Sequence, residues 1–226
     1  MGEQDSLDTR VETAFQQEEA ATIRTLRANP GNAAVLRLAS QVHRGMTAAI
    51  DTLPSKAQHA CAPGCCFCCY LPVDVLAPEA FRIAAHLQQT RSPGELAEVV
   101  FRLGAQAPHY LGARPCVFLA QGRCSIYEVR PMVCRGYNSL SQERCEAFYH
   151  DASVDLTGTK DRVAGRLAEA MEEGVIAGLN ALGLDAQWYE LPSAVLRALE
   201  TADGPLRWAR GEAVFEGCDQ LSQWQC

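Results

Sequence analysis

Apolar residues recur at helical spacing in the first part of the chain. A first stripe contains Leu7, Val11 and Phe15, each four residues from the next. A second stripe alternates spacings of four and three, as one face of a helix does; its members are Val35, Ala39, Val42, Met46 and Ala49. The stretch Asn29-Pro30-Gly31-Asn32 breaks the pattern between them. Two helices are therefore predicted, and residues 6–58 are assigned to an N-terminal helical pair.

Later helices are predicted from start and stop signals as well as from spacing. Ser92 can cap a helix that begins at Pro93, with Glu95 completing a capping box. Apolar residues at helical spacing run from Thr159 to a stop at Gly183, and Pro192 begins another helix. Pro78 opens a shorter one. Helices are thus expected on both sides of the middle of the chain.

The middle of the chain has a different pattern. Within residues 116–127, two short apolar stretches flank Ala120-Gln121-Gly122-Arg123, which is typical of a small hairpin or an irregular loop. We expect a mainly α fold, with helices around an irregular cysteine-rich metal-binding centre and at most a short hairpin. Residues 1–226 are expected to form a single domain, with a cysteine-rich core at 59–150 and C-terminal helices at 151–226.

The net charge and the hydropathy of the chain disfavour some classes of partner and some cellular locations. The net charge of −7 disfavours a nucleic-acid binder, which usually presents a basic surface. No apolar run approaches the roughly 20 residues of a membrane span, and the polar start Met1-Gly2-Glu3-Gln4-Asp5 does not resemble a secretory signal. We therefore expect no nucleic-acid partner, no membrane association and a cytoplasmic location, where thiols stay reduced.

Cysteine is the residue type that changes this picture. The chain has 11 cysteines, an odd number, and nine of them lie between residues 61 and 145. A chain of this length needs no crosslinks to fold, and a reducing compartment does not favour them, so metal binding is the better interpretation. The remaining two, Cys218 and Cys226, lie in a polar tail and are interpreted as inert thiols.

The first cysteine cluster spans residues 61–69. Its spacing is C-x3-C-x2-C-C, formed by Cys61, Cys65, Cys68 and Cys69, with Cys66 as an additional thiol. Pro63-Gly64 supplies a tight turn that lets thiolates converge on one metal. Adjacent Cys68 and Cys69 are easier to place on two metals, or as one ligand and one free thiol.

The second cluster contains Cys116, Cys124, Cys134 and Cys145. Five arginines accompany it, against only Glu128 and Glu143; they are Arg114, Arg123, Arg130, Arg135 and Arg144. Their charge could lower thiol pKa values, although arginine also dominates the basic residues of the whole chain. We expect residues 61–69 and 116–145 to meet in space, because neither cluster alone supplies a suitable set of ligands for a site with more than one metal.

These motifs resemble the YkgJ-type cysteine-cluster family. The resemblance lies in the first cluster together with Pro115-Cys116-Val117-Phe118-Leu119 and the stretch Gly122-Arg123-Cys124-Ser125-Ile126-Tyr127-Glu128-x-Arg130-Pro131-x-x-Cys134-Arg135. The family is described as a zinc- or iron-chelating domain. The resemblance implies eight metal ligands here: Cys61, Cys65, Cys68, Cys69, Cys116, Cys124, Cys134 and Cys145. Tyr127 and Arg135 are interpreted as groups that hold backbone or sulfur in place, or as structural residues.

Iron and zinc both accept all-thiolate sites, and eight thiolates with an adjacent pair favour an iron–sulfur cluster or iron, with zinc as the alternative. A protein partner for metal delivery or electron transfer would fit such a centre. The main functional alternative is a redox or methyl-transfer enzyme, because flagellin lysine methylases resemble this family in their cysteine region. Cys61-x3-Cys65-x2-Cys68 also has the radical S-adenosylmethionine spacing. His59 is a candidate substitute ligand, with an ordinary structural histidine as the other interpretation.

Overall fold

The N-terminal helical pair is present. A computed structural model describes residues 3–28, 31–62, 64–106 and 114–218. Helix α1 spans Glu3–Ala28 and α2 spans Asn32–Asp51, on either side of the predicted break. The second apolar stripe supplies four of the eight buried residues of α2, with Val42 and Met46 almost fully inaccessible. The hydrophobic spacing therefore predicted both helices.

Seven further helices follow in the described part of the chain: α3 Ala77–Thr90, α4 Pro93–Ala105, α5 Met132–Gly136, α6 Gln142–His150, α7 Arg162–Ala181, α8 Leu191–Glu200 and α9 Gly204–Ala209. The capping box at α4 is formed as predicted, because Ser92 N–H donates to the Glu95 carboxylate at 2.8 Å. Helices α7 and α8 occupy the two predicted C-terminal stretches. The short helices α5 and α6 lie inside the centre that we had expected to be irregular.

Two antiparallel strand pairs accompany the helices in the described part of the chain. Strands β2 (Leu119–Ala120) and β3 (Arg123–Cys124) form the predicted hairpin. Strands β1 (Asp74–Leu76) and β4 (Trp188–Glu190) pair as well, with Val75 opposite Tyr189. Sequence spacing gave no sign of this second pair, because its strands are short and far apart in the chain. The fold is mainly α, as expected.

Close packing of α1 against α7 depends on two glycines. A Cβ added at Gly178 would lie 2.7 Å from the Cβ of Thr22, and one at Gly174 would collide with the carbonyl oxygen of Phe15. The two helices therefore approach more closely than side chains at these positions would permit. No helix in the described ranges has the length and apolar character needed to cross a bilayer.

One hydrophobic cluster extends from α1 to the segment beyond α9. Phe81 in α3 anchors it, with ring centroids 5.1 Å from Phe215 and 6.4 Å from Trp208. Cys116, Cys124 and Cys134 pack against this cluster and are partly buried. The second cysteine cluster is thus attached directly to the helical core.

Candidate metal centre

The two cysteine clusters meet. Cys61 and Cys65 lie in a loop, and Cys68 and Cys69 lie in a 3-10 turn at Phe67–Tyr70. The backbone N–H of Cys116 donates to the carbonyl of Cys69 at 2.7 Å, which joins the hairpin to this turn. The N–H of Ser139 donates to Sγ of Cys61 at 3.3 Å. The prediction that residues 61–69 and 116–145 converge is therefore confirmed.

Three of the predicted ligands share one electrostatic feature. The backbone N–H of Phe67, two residues further along the chain, favours the charged form of the Cys65 sulfur and so opposes the rise in its pKa. The N–H groups of Phe118 and Ile126 have the same effect on Cys116 and Cys124. A backbone dipole that points at sulfur favours its charged form.

Cys61, Cys65 and Cys145 form one group. Ser139 links two of them, since its N–H donates to Cys61 and its hydroxyl accepts from the Cys145 thiol at 3.1 Å. The negative charges of Cys61 and Cys145 both act on Cys65 and help to raise its pKa, although burial is the larger cause. Helix α6 positions Cys145, and the cap at its start is Ser141, which accepts from the N–H of Arg144 at 3.2 Å.

Cys116, Cys124 and Cys134 form a second group. Cys116 precedes β2, Cys124 ends β3, and Cys134 lies in α5. Burial raises the pKa of Cys116 to about 11 and that of Cys134 well above its usual range, and the charges of neighbouring thiolates add to both shifts. These thiols are therefore costly to ionise unless a cation offsets their charge.

Cys68 lies between the two groups. Its charge acts on Cys61 and Cys65 of the first group and on all three thiols of the second. A hydrogen bond shared with the Cys69 thiol is the main cause that raises the pKa of Cys68. Cys68 and Cys69 thus lie where one of the two thiols could join the first group as a ligand and the other could join the second.

The centre reaches the surface. Cys61 and Cys68 are exposed, whereas Cys145 is buried and the other predicted ligands are half-buried. As the side chains lie, no three His, Cys, Asp or Glu residues in the described ranges form a group that could hold a metal ion. The donor chemistry, with soft thiols and N–H groups aimed at sulfur, fits iron or zinc. Binding would require the thiols to lose protons and draw together.

Glu79 fastens the helix that carries Cys134. This carboxylate is 1% exposed, and it accepts from the N–H of Met132 at the start of α5 at 2.7 Å. It also lies 3.0 Å from Nε2 of His43 in α2. The sequence offered no clue to this role, since a single glutamate in a helix usually faces solvent.

A second buried carboxylate holds the segment that leads into the first cluster. Asp161 caps α7 through the N–H groups of Val163 and Ala164. Its other oxygen lies 2.8 Å from Nε2 of His59 and 2.5 Å from the hydroxyl of Ser55. His59 is thus engaged with Asp161, which supports the structural interpretation of this histidine. Burial opposes ionisation of Asp161, but these hydrogen bonds together lower its pKa.

Two of the five nearby arginines lower the pKa values of thiols in the centre through their positive charge. The charge of Arg130 offsets those of Cys68 and Cys124, and Arg135 also acts on Cys124. Arg135 is buried and donates to the carbonyl oxygens of Arg130 and Glu128 and to Oγ1 of Thr47. It holds backbone in place, as its motif position suggested. Tyr127 is 61% exposed and stacks under Arg130, 3.9 Å from ring centroid to guanidinium carbon.

The remaining three cysteines are not among the predicted ligands. Cys66 precedes the 3-10 turn and is half-buried. Cys218 packs against the hydrophobic cluster with its sulfur 3.9 Å from the Ser193 carbonyl. Cys226 lies outside the described residues.

The span that contains these cysteines matches a protein-family model. Residues 60–153 match the CxxCxxCC family. Its description is "Putative zinc- or iron-chelating domain". All eight predicted ligands lie within the matched span, and metal binding is the function that the CxxCxxCC match supports. No curated protein and no solved structure matches the chain.

Proposed function

We propose that the chain binds iron, in iron–sulfur form, through eight thiolates supplied by the two cysteine clusters. The observation that carries the proposal is the contact between the two clusters, in which the N–H of Cys116 donates to the Cys69 carbonyl and the N–H of Ser139 donates to the Cys61 sulfur. An isolated buried thiol packs as a small hydrophobe and has no need of such a donor. Backbone N–H groups also favour the charged form of Cys65, Cys116 and Cys124, which suits metal ligands.

The eight thiolates divide into two sets of four in this proposal. Cys61, Cys65 and Cys145 form one set, and Cys116, Cys124 and Cys134 form the other. Cys68 and Cys69, which lie between them, contribute one thiolate each. Two four-thiolate sites suit two iron–sulfur clusters, and they equally suit two zinc ions.

Purification without oxygen tests the identity of the metal. The chain should carry iron and acid-labile sulfide and should absorb visible light, as iron–sulfur clusters do. Zinc without sulfide and without colour would replace iron–sulfur by the zinc alternative. A metal-free chain that does not take up either metal would contradict metal binding altogether.

Cysteine-to-serine variants test the division. Cys61→Ser, Cys68→Ser and Cys134→Ser should each lose about half of the bound metal, because each removes one ligand from one of the two sites. Cys218→Ser is the matched control, because its sulfur packs away from the centre, and it should keep the full metal content. Equal loss from the control would mean that the site boundary is wrong.

A redox or methyl-transfer enzyme is the second candidate. The exposure of Cys61 and Cys68 favours it, because a centre that reaches solvent can exchange electrons, groups or metal with a partner. Radical S-adenosylmethionine enzymes surround their cluster with a partial barrel, but the four strands described here have two or three residues each. Reductive cleavage of S-adenosylmethionine by the iron-loaded chain would support that version.

A protein partner for electron transfer or metal delivery and a cytoplasmic location complete the proposal. Free thiols in such number persist in a reducing compartment.

A further inference from the structure

We infer that a cavity beside the cysteine centre binds a small organic cation. The cavity has a volume of about 250 Å³ and lies between the 3-10 turn at Phe67–Tyr70 and the C-terminal end of α6. These two elements also carry Cys68, Cys69 and Cys145. An occupant would therefore lie next to the centre, and this inference depends on the proposed metal site.

Aromatic rings form most of the cavity wall: Phe67, Tyr70, Phe148, Tyr149 and the imidazole of His150. Tyr149 is the central ring, with centroids 4.5 Å from Tyr70 and 6.0 Å from Phe67. The ring planes are tilted by 57° and 48° instead of being stacked. Tilted rings can turn more than one π-face towards the same space, and π-faces attract cations.

Charge determines which kind of ligand fits. Among the described residues that line the cavity, none is a lysine or arginine that could hold an anion, and none is a carboxylate. The turn that forms one wall of the cavity carries Cys68 and Cys69, so the charge of a thiolate site at the centre would lie beside the cavity. Four thiolates around a divalent metal retain a net negative charge. Electrostatics and aromatic faces therefore both favour a cation over a neutral or anionic molecule.

The size of the cavity limits the ligand to a small head group. A volume of about 250 Å³ is near the lower limit for small-molecule sites. A quaternary or protonated ammonium group suits it, because a diffuse cation loses less hydration than a metal ion on contact with aromatic rings. Tyr70 and Tyr149 are both half-buried, so the occupant would enter from solvent.

Choline and its neutral carbon isostere, dimethylbutanol, provide the test. Each is titrated into the metal-loaded chain by isothermal titration calorimetry, with sodium chloride as the ionic-strength control. We expect choline to bind at least about fivefold more tightly than the isostere, as a cation–π contribution predicts. Equal affinities, or no choline binding to a chain with full metal content, would overturn the inference.

Variants show whether the rings are responsible. Tyr149→Leu should weaken choline binding by about fivefold or more, whereas Tyr149→Phe, which keeps the π-face, should stay close to the parent chain. Phe101→Leu is the matched control, because Phe101 is 75% exposed on α4 and does not line the cavity. If Tyr149→Leu binds choline normally, the site is elsewhere and the inference is wrong.

Metal analysis of the same samples separates this inference from the proposed function. Full metal content without choline binding refutes the cavity site alone. Choline binding by a chain that takes up no metal refutes the proposed function and the electrostatic reasoning here together.

Discussion

A methyl group added at Gly136 should disturb both the fold and the metal centre. Gly136 ends α5, two residues after Cys134, and its Cβ would lie 2.6 Å from the Cβ of Ala168 in α7. Carbon atoms in contact are normally about 3.5–4.0 Å apart, so the two helices would have to separate by roughly 1 Å. Gly136 is not among the glycines with positive φ, so the expected effect is steric.

The magnitude follows from that overlap. Both methyl groups are attached to helices, and Ala168 is 3% exposed, so neither can move into open space. Overpacking of this kind costs about 1–3 kcal/mol. Gly136→Ala should lower the free energy of unfolding by that amount. It should also reduce metal retention, because the displacement of α5 moves Cys134 away from Cys116 and Cys124.

A double-mutant cycle isolates the contact. Ala168→Gly alone should cost about 1 kcal/mol through helix propensity, but it removes the atom that the new methyl group meets. Gly136→Ala combined with Ala168→Gly should therefore recover part of the loss, with a coupling of about 1–2 kcal/mol. The control is Gly165→Ala on the same helix α7, which meets nothing within 4 Å and should stabilise by about 0.5–1 kcal/mol.

Urea unfolding followed by circular dichroism, in the presence of chelator, measures these free energies without a contribution from metal. Metal per chain is determined separately on the loaded proteins. The reasoning is refuted if Gly136→Ala is as stable as the parent chain and shows no coupling to Ala168→Gly.

Three further outcomes are expected. Chelation of the metal should accelerate hydrogen exchange in residues 61–69 and 114–145 before it accelerates exchange in the terminal helices, because the crowded thiolates lose their cation while the apolar helix faces stay packed. Equal acceleration throughout the chain would mean that the metal is essential to the whole fold. Asp161→Ala should lower the free energy of unfolding by about 1–3 kcal/mol, because it removes the cap of α7 and leaves the His59 ring without that partner. Asp161→Asn, which can still cap, is the control. Equal losses of stability for the two variants in urea unfolding would contradict the capping role. Burial raises the pKa of Glu172 to about 8. Between the ordinary carboxyl pKa and pH 8 the folded chain therefore keeps a proton that the unfolded chain has released, and the free energy of unfolding should fall as pH rises towards 8. Thermal unfolding of Glu172→Gln should show a gain in stability over the parent that is larger at pH 8 than at pH 5, and a gain independent of pH would refute the assignment.

Local signals were enough to predict most helices. The capping box at Ser92, the break between α1 and α2 and the proline near the start of α8 act within one turn of the chain, so they can be read without knowledge of the fold. The hairpin at β2 and β3 was predicted for the same reason. Helices α5 and α6 were missed because five and nine residues give too few turns for a periodic pattern.

The two cysteine clusters were identified by spacing, because cysteines a few residues apart are unusual in a chain that needs no disulfides. The set of eight ligands was implied by the family resemblance and stays a prediction. That residues 59–150 act as a core within a single domain stays a prediction. The grouping of the cysteines could not be predicted from the sequence, because it depends on contacts between distant segments: Ser139 bonds to both Cys61 and Cys145, and the Cys116 N–H bonds to the Cys69 carbonyl.

The sequence by itself determined most of the longer helices, the hairpin and the cysteines that are candidates for metal binding, since spacing, capping and side-chain chemistry are local properties. Only the tertiary structure decided that Glu79 holds α5, that Asp161 engages His59 and that aromatic rings line a cavity beside the centre. A buried carboxylate holds neighbouring segments in place because it has lost its contacts with water and accepts hydrogen bonds from protein donors instead. That environment is created by packing between distant segments, which no local pattern contains.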